Sequence, residues 1–281
     1  IIYFVCRYLI RKIDMKNFIS ILFLYFTIFP VFAFGNNSSD VGIPMKKKLA
    51  VSNNQWQLVK SANGYPVRDG KKSWMFTLKN GQCGEELPKH SDCKTDRQRS
   101  EATQKKYDKI PSKPMWYSAS IFIPNNYQSV TPLSVSWLQL YETGHAPVLM
   151  LRETGNFLRF EVLPGTWNTH TTKVGHIKDF INQWMDIKIH IKYSKKPDGF
   201  IKFYVNEKLI GSYSGNTIVG LGNGKVRLDI GIYHSRVSRW KKYWSIDGPG
   251  KKEKDFPTQI LYFDAVRKSF NEQKVGPIKN M

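Results

Sequence analysis

The sequence predicts an all-β fold, an antiparallel β-sandwich carried by one domain. Three observations predict it. Short runs alternate apolar and polar residues with a period of two, which sends every second side chain to the same face of a strand. No stretch of ten or more residues holds a helical period. Gly, Pro and Asn punctuate the runs, with turn signals at Asp198-Gly199 and Asn223-Gly224.

In chain order, Met115–Ile123 and Val135–Tyr141 alternate. The second run sets Val135, Trp137, Gln139 and Tyr141 on one face against Ser136, Leu138 and Leu140. Met185–Lys192 sets Met185, Ile187, Ile189 and Ile191 against Asp186, Lys188, His190 and Lys192. Phe200–Val205 follows. Val226–Tyr233 then buries Val226, Leu228, Ile230 and Ile232 and leaves Arg227, Asp229, Gly231 and Tyr233 together on a polar face, and Ile260–Val266 comes last. His234 shares the face of Ile230 and Ile232 and reads as structural. No repeat or low-complexity linker divides the chain, so residues 55–281 read as a single domain.

The first methionine is Met15. Taken as the start, it leaves residues 1–14 as an untranslated upstream segment. Residues 15–33 then read as a secretory signal peptide, with Lys16 as the charged lead, Ile19–Val31 as the apolar stretch and Val31-Phe32-Ala33 as the cleavage site. The rival reading is an uncleaved anchor, since roughly 17 apolar residues sit at the lower limit of a bilayer span. Residues 34–54 form a flexible N-terminal segment on this reading, and the protein is expected to be secreted or periplasmic. Cys6 lies upstream of Met15, which leaves Cys83 and Cys93 as a pair ten residues apart. In an oxidising compartment they are expected to form a disulfide closing a surface loop, worth about 2 to 3 kcal/mol on the loop-entropy estimate.

With 43 Lys and Arg against 22 Asp and Glu, the net charge of +21 points to a polyanionic partner. A polar sheet face carrying Arg, Lys, Gln and Tyr can form a groove for an anionic sugar chain. The cations are scattered rather than gathered into a nucleic-acid module, so no nucleic-acid partner is expected.

Three segments carry a resemblance: Asp96-Arg97-Gln98-Arg99-Ser100-Glu101, Trp137-Leu138-Gln139-Leu140-Tyr141 and Gly231-Ile232-Tyr233. They resemble the Arg-Ser-Glu, Gln-x-His and Gly-x-Tyr strand motifs of the jelly-roll polysaccharide lyases, the group of heparin lyase I, glucuronan lyase and, more distantly, alginate lyases. Trp184 to Ser194 and Gly199 to Asn206 are similar to the segments that family places between its second and third motifs. The resemblance spans roughly residues 55 to 268 in the expected order. It implies a concanavalin A-like jelly roll, a monomer without cofactor, and β-elimination on a uronic-acid glycan.

In the implied chemistry a base removes the hydrogen beside a sugar carboxylate while an acid protonates the departing glycosidic oxygen. Arg99 and Gln139 would neutralise the carboxylate, the electrostatic contribution that is usually largest in catalysis. Arg suits the task because its fork matches a carboxylate. Tyr233 would donate the proton and also serve as base, and Glu101 would orient Arg99. The sequence departs from the family at the Gln-x-His position, where Tyr141 stands. Tyr141 itself or His145, four residues on, is the candidate to replace the imidazole. Arg97, Arg152, Lys188, His190, Lys192, Arg227, Arg236 and Arg239 are candidates for substrate contact, with Trp240 and Tyr243 for stacking on sugar rings. Trp56, Trp74 and Trp184 read as core. Asp247 and Asp264 are hard-oxygen candidates for Ca²⁺, but no cluster has the density of a calcium loop and no metal is expected. A glycoside hydrolase would need two strand carboxylates about 5 to 9 Å apart, and no Glu-x-Asp-x-x-Glu run occurs. The remaining alternative is a non-catalytic jelly-roll protein that binds acidic glycans.

Overall fold

The computed structural model describes residues 42–49, 54–86, 88–165 and 169–277. The untranslated-segment and signal-peptide readings of residues 1–14 and 15–33 lie outside the described residues. Among the described residues, no helix is long and apolar enough to cross a membrane.

In chain order the described strands are β1 (Met45–Lys47), β2 (Trp56–Lys60), β3 (Lys72–Leu78), β4 (Glu85–Glu86), β5 (His90–Ser91), β6 (Arg97–Gln104), β7 (Asp108–Lys109), β8 (Met115–Phe122), β9 (Ser134–Glu142), β10 (Pro147–Thr154), β11 (Phe157–Val162), β12 (His170–His176), β13 (Trp184–Lys192), β14 (Phe200–Val205), β15 (Lys208–Ser214), β16 (Lys225–Ser235) and β17 (Gln259–Ser269), with one short helix, α1 (Ser238–Tyr243). They form two large antiparallel sheets. The first has the order β1-β6-β16-β9-β10-β11-β12, with β7 also paired to β16, and the second β15-β14-β13-β8-β17-β3-β2. β4 and β5 make a separate hairpin. The fold is a jelly-roll sandwich.

The inner faces are those that the alternation assigns to the core. Ile187, Ile189 and Ile191 on β13 and Val226, Leu228, Ile230 and Ile232 on β16 are all 0–1% exposed. The two sheets meet through contacts such as Phe160 on β11 stacked on Phe203 of β14, with centroids 4.7 Å apart. Burial of this kind is worth about 25 cal/mol per Å² of apolar surface, so these inward rows fix which way every outward side chain points.

Two sequence expectations are corrected. Part of the 34–54 segment read as flexible is ordered, because Met45–Lys47 pairs with Gln104, Thr103 and Ala102 of β6. The second correction concerns β9, where alternation breaks. Against β10, Leu138 faces Leu151 and Ser136 faces Arg152, so Trp137 is an extra residue at a bulge. Trp137 turns inward, 1% exposed and edge-on to Tyr127 at 5.6 Å. It therefore shares no face with Gln139 and Tyr141, and Ser136 takes the outward place beside Tyr233.

Gly231 shows why the Gly-x-Tyr motif needs its glycine. Its φ is +131°, and a Cβ there would run into the Ser100 carbonyl oxygen and approach Phe76 at 2.9 Å. The residue lies where β16 slips against β9, between Ile230 and Tyr233. Gly231→Ala is expected to destabilise the fold by about 2 kcal/mol or more, read as a shifted denaturant midpoint. An unchanged midpoint would show that the strand tolerates a side chain there.

Two buried titratable groups act in opposite directions. His234, 0% exposed on the core face of β16, bonds Gln259 Oε1 through Nε2 at 2.6 Å, while its Nδ1 has no partner among the described residues. Burial pushes its pKa down to about 4. Asp264 on β17 accepts backbone N–H groups of Arg68, Asp69 and Ala265, yet burial pushes it up to about 6. Unfolding lets His234 take up a proton as pH falls from its ordinary 6.5 to about 4, so stability is lost on acidification. Asp264 keeps its proton longer in the folded state, so stability is lost as pH rises from 3.8 to about 6. Each contribution is on the order of 3 kcal/mol. His234→Gln is expected to leave a stability that falls with rising pH in that window, and Asp264→Asn one that rises. Denaturant titrations giving both variants the same slope would refute the pairing.

Candidate active site

β6, β16 and β9 run side by side in the first sheet, and their register stacks the motif residues. Tyr233 lies opposite Arg99, Gly231 opposite Glu101, and Asp229 opposite both Thr103 and Gln139. Cross-strand partners share a face, so Arg99, Glu101, Gln139, Asp229 and Tyr233 all stand on the outer face of this sheet.

Arg99 is the hub, only 7% exposed. Its Nη2 donates to Asp92 Oδ1 at 2.7 Å and its Nε to Asp92 Oδ2, while Nη1 donates to Glu101 Oε2 at 3.0 Å. Burial would lower the pKa of the guanidinium, but the two carboxylates outweigh it and raise it. Glu101 also accepts from Gln139 Nε2 at 2.6 Å and pairs with Lys48 Nζ at 2.9 Å. Lys48 reaches on to Asp229 at 2.7 Å, which Arg227 Nε meets at 3.1 Å. Burial likewise lowers the Lys48 pKa, and Glu101 and Asp229 more than reverse it. Asp229, 0% exposed, is held below the usual carboxylate range against its own burial, chiefly by the charges of Lys48 and Arg227.

Tyr233 stands at one end of this network. Its ring lies over the Arg99 guanidinium, 4.6 Å from Cζ to the centroid. Its hydroxyl accepts from Arg97 Nε at 3.0 Å, which leaves the phenolic hydrogen free to turn toward the open face. Arg97 in turn donates to the Thr95 carbonyl at 2.8 Å.

Asp92 is held in place by the disulfide loop. Cys83 and Cys93 are bonded, with Cα atoms 5.6 Å apart. Between them the β4–β5 hairpin presents Asp92 to Arg99. Its carboxylate also receives the Gly84 amide at 3.2 Å and meets the His90 ring at 3.1 Å. A Cβ on Gly84 would lie 2.9 Å from Asp92 Oδ2 and 3.0 Å from Arg99 Cγ, so only glycine lets the loop close this tightly. Burial raises the Asp92 pKa, but the bonds and charge of Arg99 bring it below the usual range.

The structure does not bring every expected residue here. Tyr141 lies opposite Arg227, five positions along β9 from the Ser136 that faces Tyr233, or roughly 16 Å of strand. Its hydroxyl reaches the His145 carbonyl at 3.5 Å, and the His145 side chain is exposed in the loop. Neither residue stands beside Tyr233. Arg152, on the outer face of β10, is tied to Glu161 at 2.7 Å.

Lys188, His190 and Lys192 are on an outer face as expected, but of the other sheet, across the sandwich. Lys188 pairs with Glu207 and Glu272, Lys192 with Asp198, and His190 stacks on Trp116 at 4.1 Å. They cannot touch a chain bound over Tyr233. Trp240 is 3% exposed, packed on Phe256 and Trp244 and bonded to the Lys254 carbonyl, so it is core rather than a sugar platform. Arg236, just before α1, and Arg239, within it, are exposed. Among the described residues, no group of three His, Cys, Asp or Glu side chains could hold a metal, and Asp264 spends its oxygens on backbone amides.

Sequence reasoning missed Asp92 and Lys48. Asp92 sits beside Cys93 and could have been suspected from the disulfide loop, whereas nothing local marks Lys48, whose partner Asp229 is 181 residues away. Breaking a buried ion pair costs about 3 to 5 kcal/mol, so Asp92→Ala should lose stability on that scale. His90→Ala, which removes the 37% exposed contact to the same carboxylate, should cost less than about 1 kcal/mol. Equal losses in denaturant titrations would dislodge the Asp92–Arg99 pair from this role.

Comparison with known proteins assigns the sequence to a family. The polysaccharide lyase family model matches residues 37–267. Among solved structures, the chain is similar to an endo-β-1,4-glucuronan lyase from the fungus Trichoderma reesei, with TM-score 0.53, 13% identity, and 84% of this chain and 98% of that one covered. It is also similar to an alginate lyase of polysaccharide lyase family 7 (TM-score 0.48, 14% identity, 83% and 96% covered) and to a cellulose-induced protein (TM-score 0.46, 11% identity, 82% and 92% covered). At these identities the likeness to solved structures is one of fold. No curated protein matches the chain in sequence. With a single family model running along most of its length, the chain belongs to the polysaccharide lyase family and is a lyase.

Proposed function

We propose that the protein cleaves a uronic-acid polysaccharide by β-elimination on the outer face of the first sheet, with Tyr233 moving the proton. The observation that carries this reading is the continuous contact path from Tyr233 through Arg99 and Glu101 to Gln139, at 4.6, 3.0 and 2.6 Å. The motif residues lie far apart in sequence and meet on one surface.

The reaction needs three things. The substrate carboxylate must lose its charge repulsion so that the hydrogen on the neighbouring carbon becomes acidic. That hydrogen must be taken, its electron pair forming the new double bond. The glycosidic oxygen must then receive a proton as its bond to carbon breaks. Arg99 has five N–H groups, of which Asp92 takes two and Glu101 one, so two remain for the sugar acid. Gln139 likewise keeps a second amide hydrogen. Both groups are fixed before substrate arrives, which avoids reorganisation during the reaction.

Tyr141 and His145 lie away from this point, so Tyr233 takes both proton duties. It accepts the carbon-bound hydrogen and returns a proton to the leaving oxygen, which requires both on one face of the sugar ring. Tyr233 enters as the phenolate, set against Arg97 and Arg99; it is the neutral phenol between the two steps, and giving its proton to the leaving oxygen restores the phenolate. Glucuronan is the first substrate to try. Action outside the cytosol accords with the Cys83–Cys93 disulfide.

The test is ultraviolet absorbance of the unsaturated product on glucuronan, alginate, heparin and chondroitin sulfate. Absorbance is expected to grow on at least one, and Tyr233→Phe is expected to abolish it with the fold retained. Binding with no absorbance on any of the four would favour the glycan-binding alternative. Gln139→Leu should lower kcat by on the order of 10² by analogy with loss of one oxyanion donor. A change confined to KM would make Gln139 a binding group only.

A further inference from the structure

Tyr233 and Arg227 are six residues apart on β16, roughly 20 Å of strand, and alternation puts them on the same outer face. Arg227 is built as a presented cation. Its Cζ lies 4.1 Å from the centroid of the Tyr141 ring and 5.6 Å from that of Tyr107. Its Nε meets both oxygens of the buried Asp229 at 3.1 Å. These contacts fix the side chain and engage only Nε. Among the described residues, Nη1 and Nη2 have no hydrogen-bond acceptor. Arg227 lines an open cleft of about 820 Å³ together with Lys46, Lys48, Thr103 and Tyr107. Lys46 adds a second positive charge, 5.8 Å above the Tyr107 ring. Two carboxylates line the same cleft: Glu85, which accepts from the Ser91 hydroxyl at 2.7 Å, and the exposed Glu86.

A guanidinium whose Nε is tied back and whose plane is stacked on aromatic rings offers its outer fork at little conformational cost. That fork matches a planar carboxylate in two-point geometry. The distance from Tyr233 is too long for the two sites to hold one sugar ring. We propose that Arg227, held by Asp229, Tyr141 and Tyr107, forms a distal subsite for the carboxylate of a uronate several units along the chain from the reacting one. The inference rests on the proposed lyase reading and adds to it: the enzyme measures chain length and charge at a point where no bond is broken. Tyr141, at the family's histidine position, serves here as the platform for that cation.

The test is binding rather than turnover. Oligoglucuronates from dimer to octamer are titrated calorimetrically into the Tyr233→Phe protein, alone and combined with Arg227→Ala or Tyr107→Ala. Affinity is expected to rise once the oligomer spans both sites. Arg227→Ala should remove about tenfold or more of that rise, and Tyr107→Ala, which keeps the Arg227–Asp229 pair, should remove a smaller part. If Arg227→Ala does not fold, Tyr107→Ala decides. A rise left intact in the folded variants, a loss equal for dimer and octamer, or no binding of any oligomer overturns the subsite. An Arg227-dependent gain seen only with heparin oligosaccharides of matching length overturns the carboxylate assignment in favour of sulfate. Failure of the lyase reading shows separately, as oligomers that bind while the unmutated protein yields no unsaturated product.

Discussion

The burial of Arg99 between Asp92 and Glu101 is the interaction on which the outer face of the first sheet depends. A guanidinium at 7% exposure is stable only if its charge and its donors are met inside the protein. Asp92 meets them from the disulfide hairpin and Glu101 from the same strand. Each carboxylate brings in further groups. Glu101 draws Lys48 from just past the edge strand β1 and Gln139 from β9, and Lys48 continues to Asp229. Segments from across the chain are thereby pinned to one surface by charge rather than by apolar packing. The geometry is correspondingly rigid, since moving any one group leaves another buried and unpaired.

The sequence made the apolar strands legible and left the polar ones hidden. β13, β14 and β16 read correctly because one face of each is continuously apolar. β6 does not read at all by periodicity. Arg97–Gln104 is almost wholly polar, yet all but Arg97 are buried; Arg99 and Glu101 are met by ion pairs, and Gln55 donates to the Arg99 carbonyl at 2.8 Å. Only the Arg-Ser-Glu resemblance pointed there. Alternation also has a blind spot in a sandwich: it separates inward from outward but not one outer face from the other. Lys188, His190 and Lys192 were assigned the right side of their strand and the wrong side of the molecule. Trp137 failed for a different reason, since one bulge residue inverts the faces on either side of it. Asp92 and Lys48 act through partners distant in space or sequence, which no local pattern records.

The family resemblance is informative where it breaks. A tyrosine at the histidine position looks at first like a lost base. In the fold, that position faces Arg227 instead of Tyr233, and the tyrosine ring carries a cation. On the proposed reading, the tyrosine there helps hold the far end of the groove, and the proton chemistry falls to Tyr233, the phenol that stands against Arg97 and Arg99.

The same network reconciles two needs that seem opposed. A protein that attracts an acidic chain gains by presenting positive charge, yet Asp92, Glu101 and Asp229 all lie within the site. Their placement resolves the conflict. Each is nearly or wholly buried, at 0 or 1% exposure, and each is paired with a cation: Asp92 and Glu101 with Arg99, Glu101 and Asp229 with Lys48, and Asp229 with Arg227. The carboxylates spend their charge at distances near 3 Å inside a poorly polarisable interior, where attraction is strong. Anions paired with cations in this way fix the donors in space, and on the proposed reading they serve the abstraction of a proton beside a substrate carboxylate.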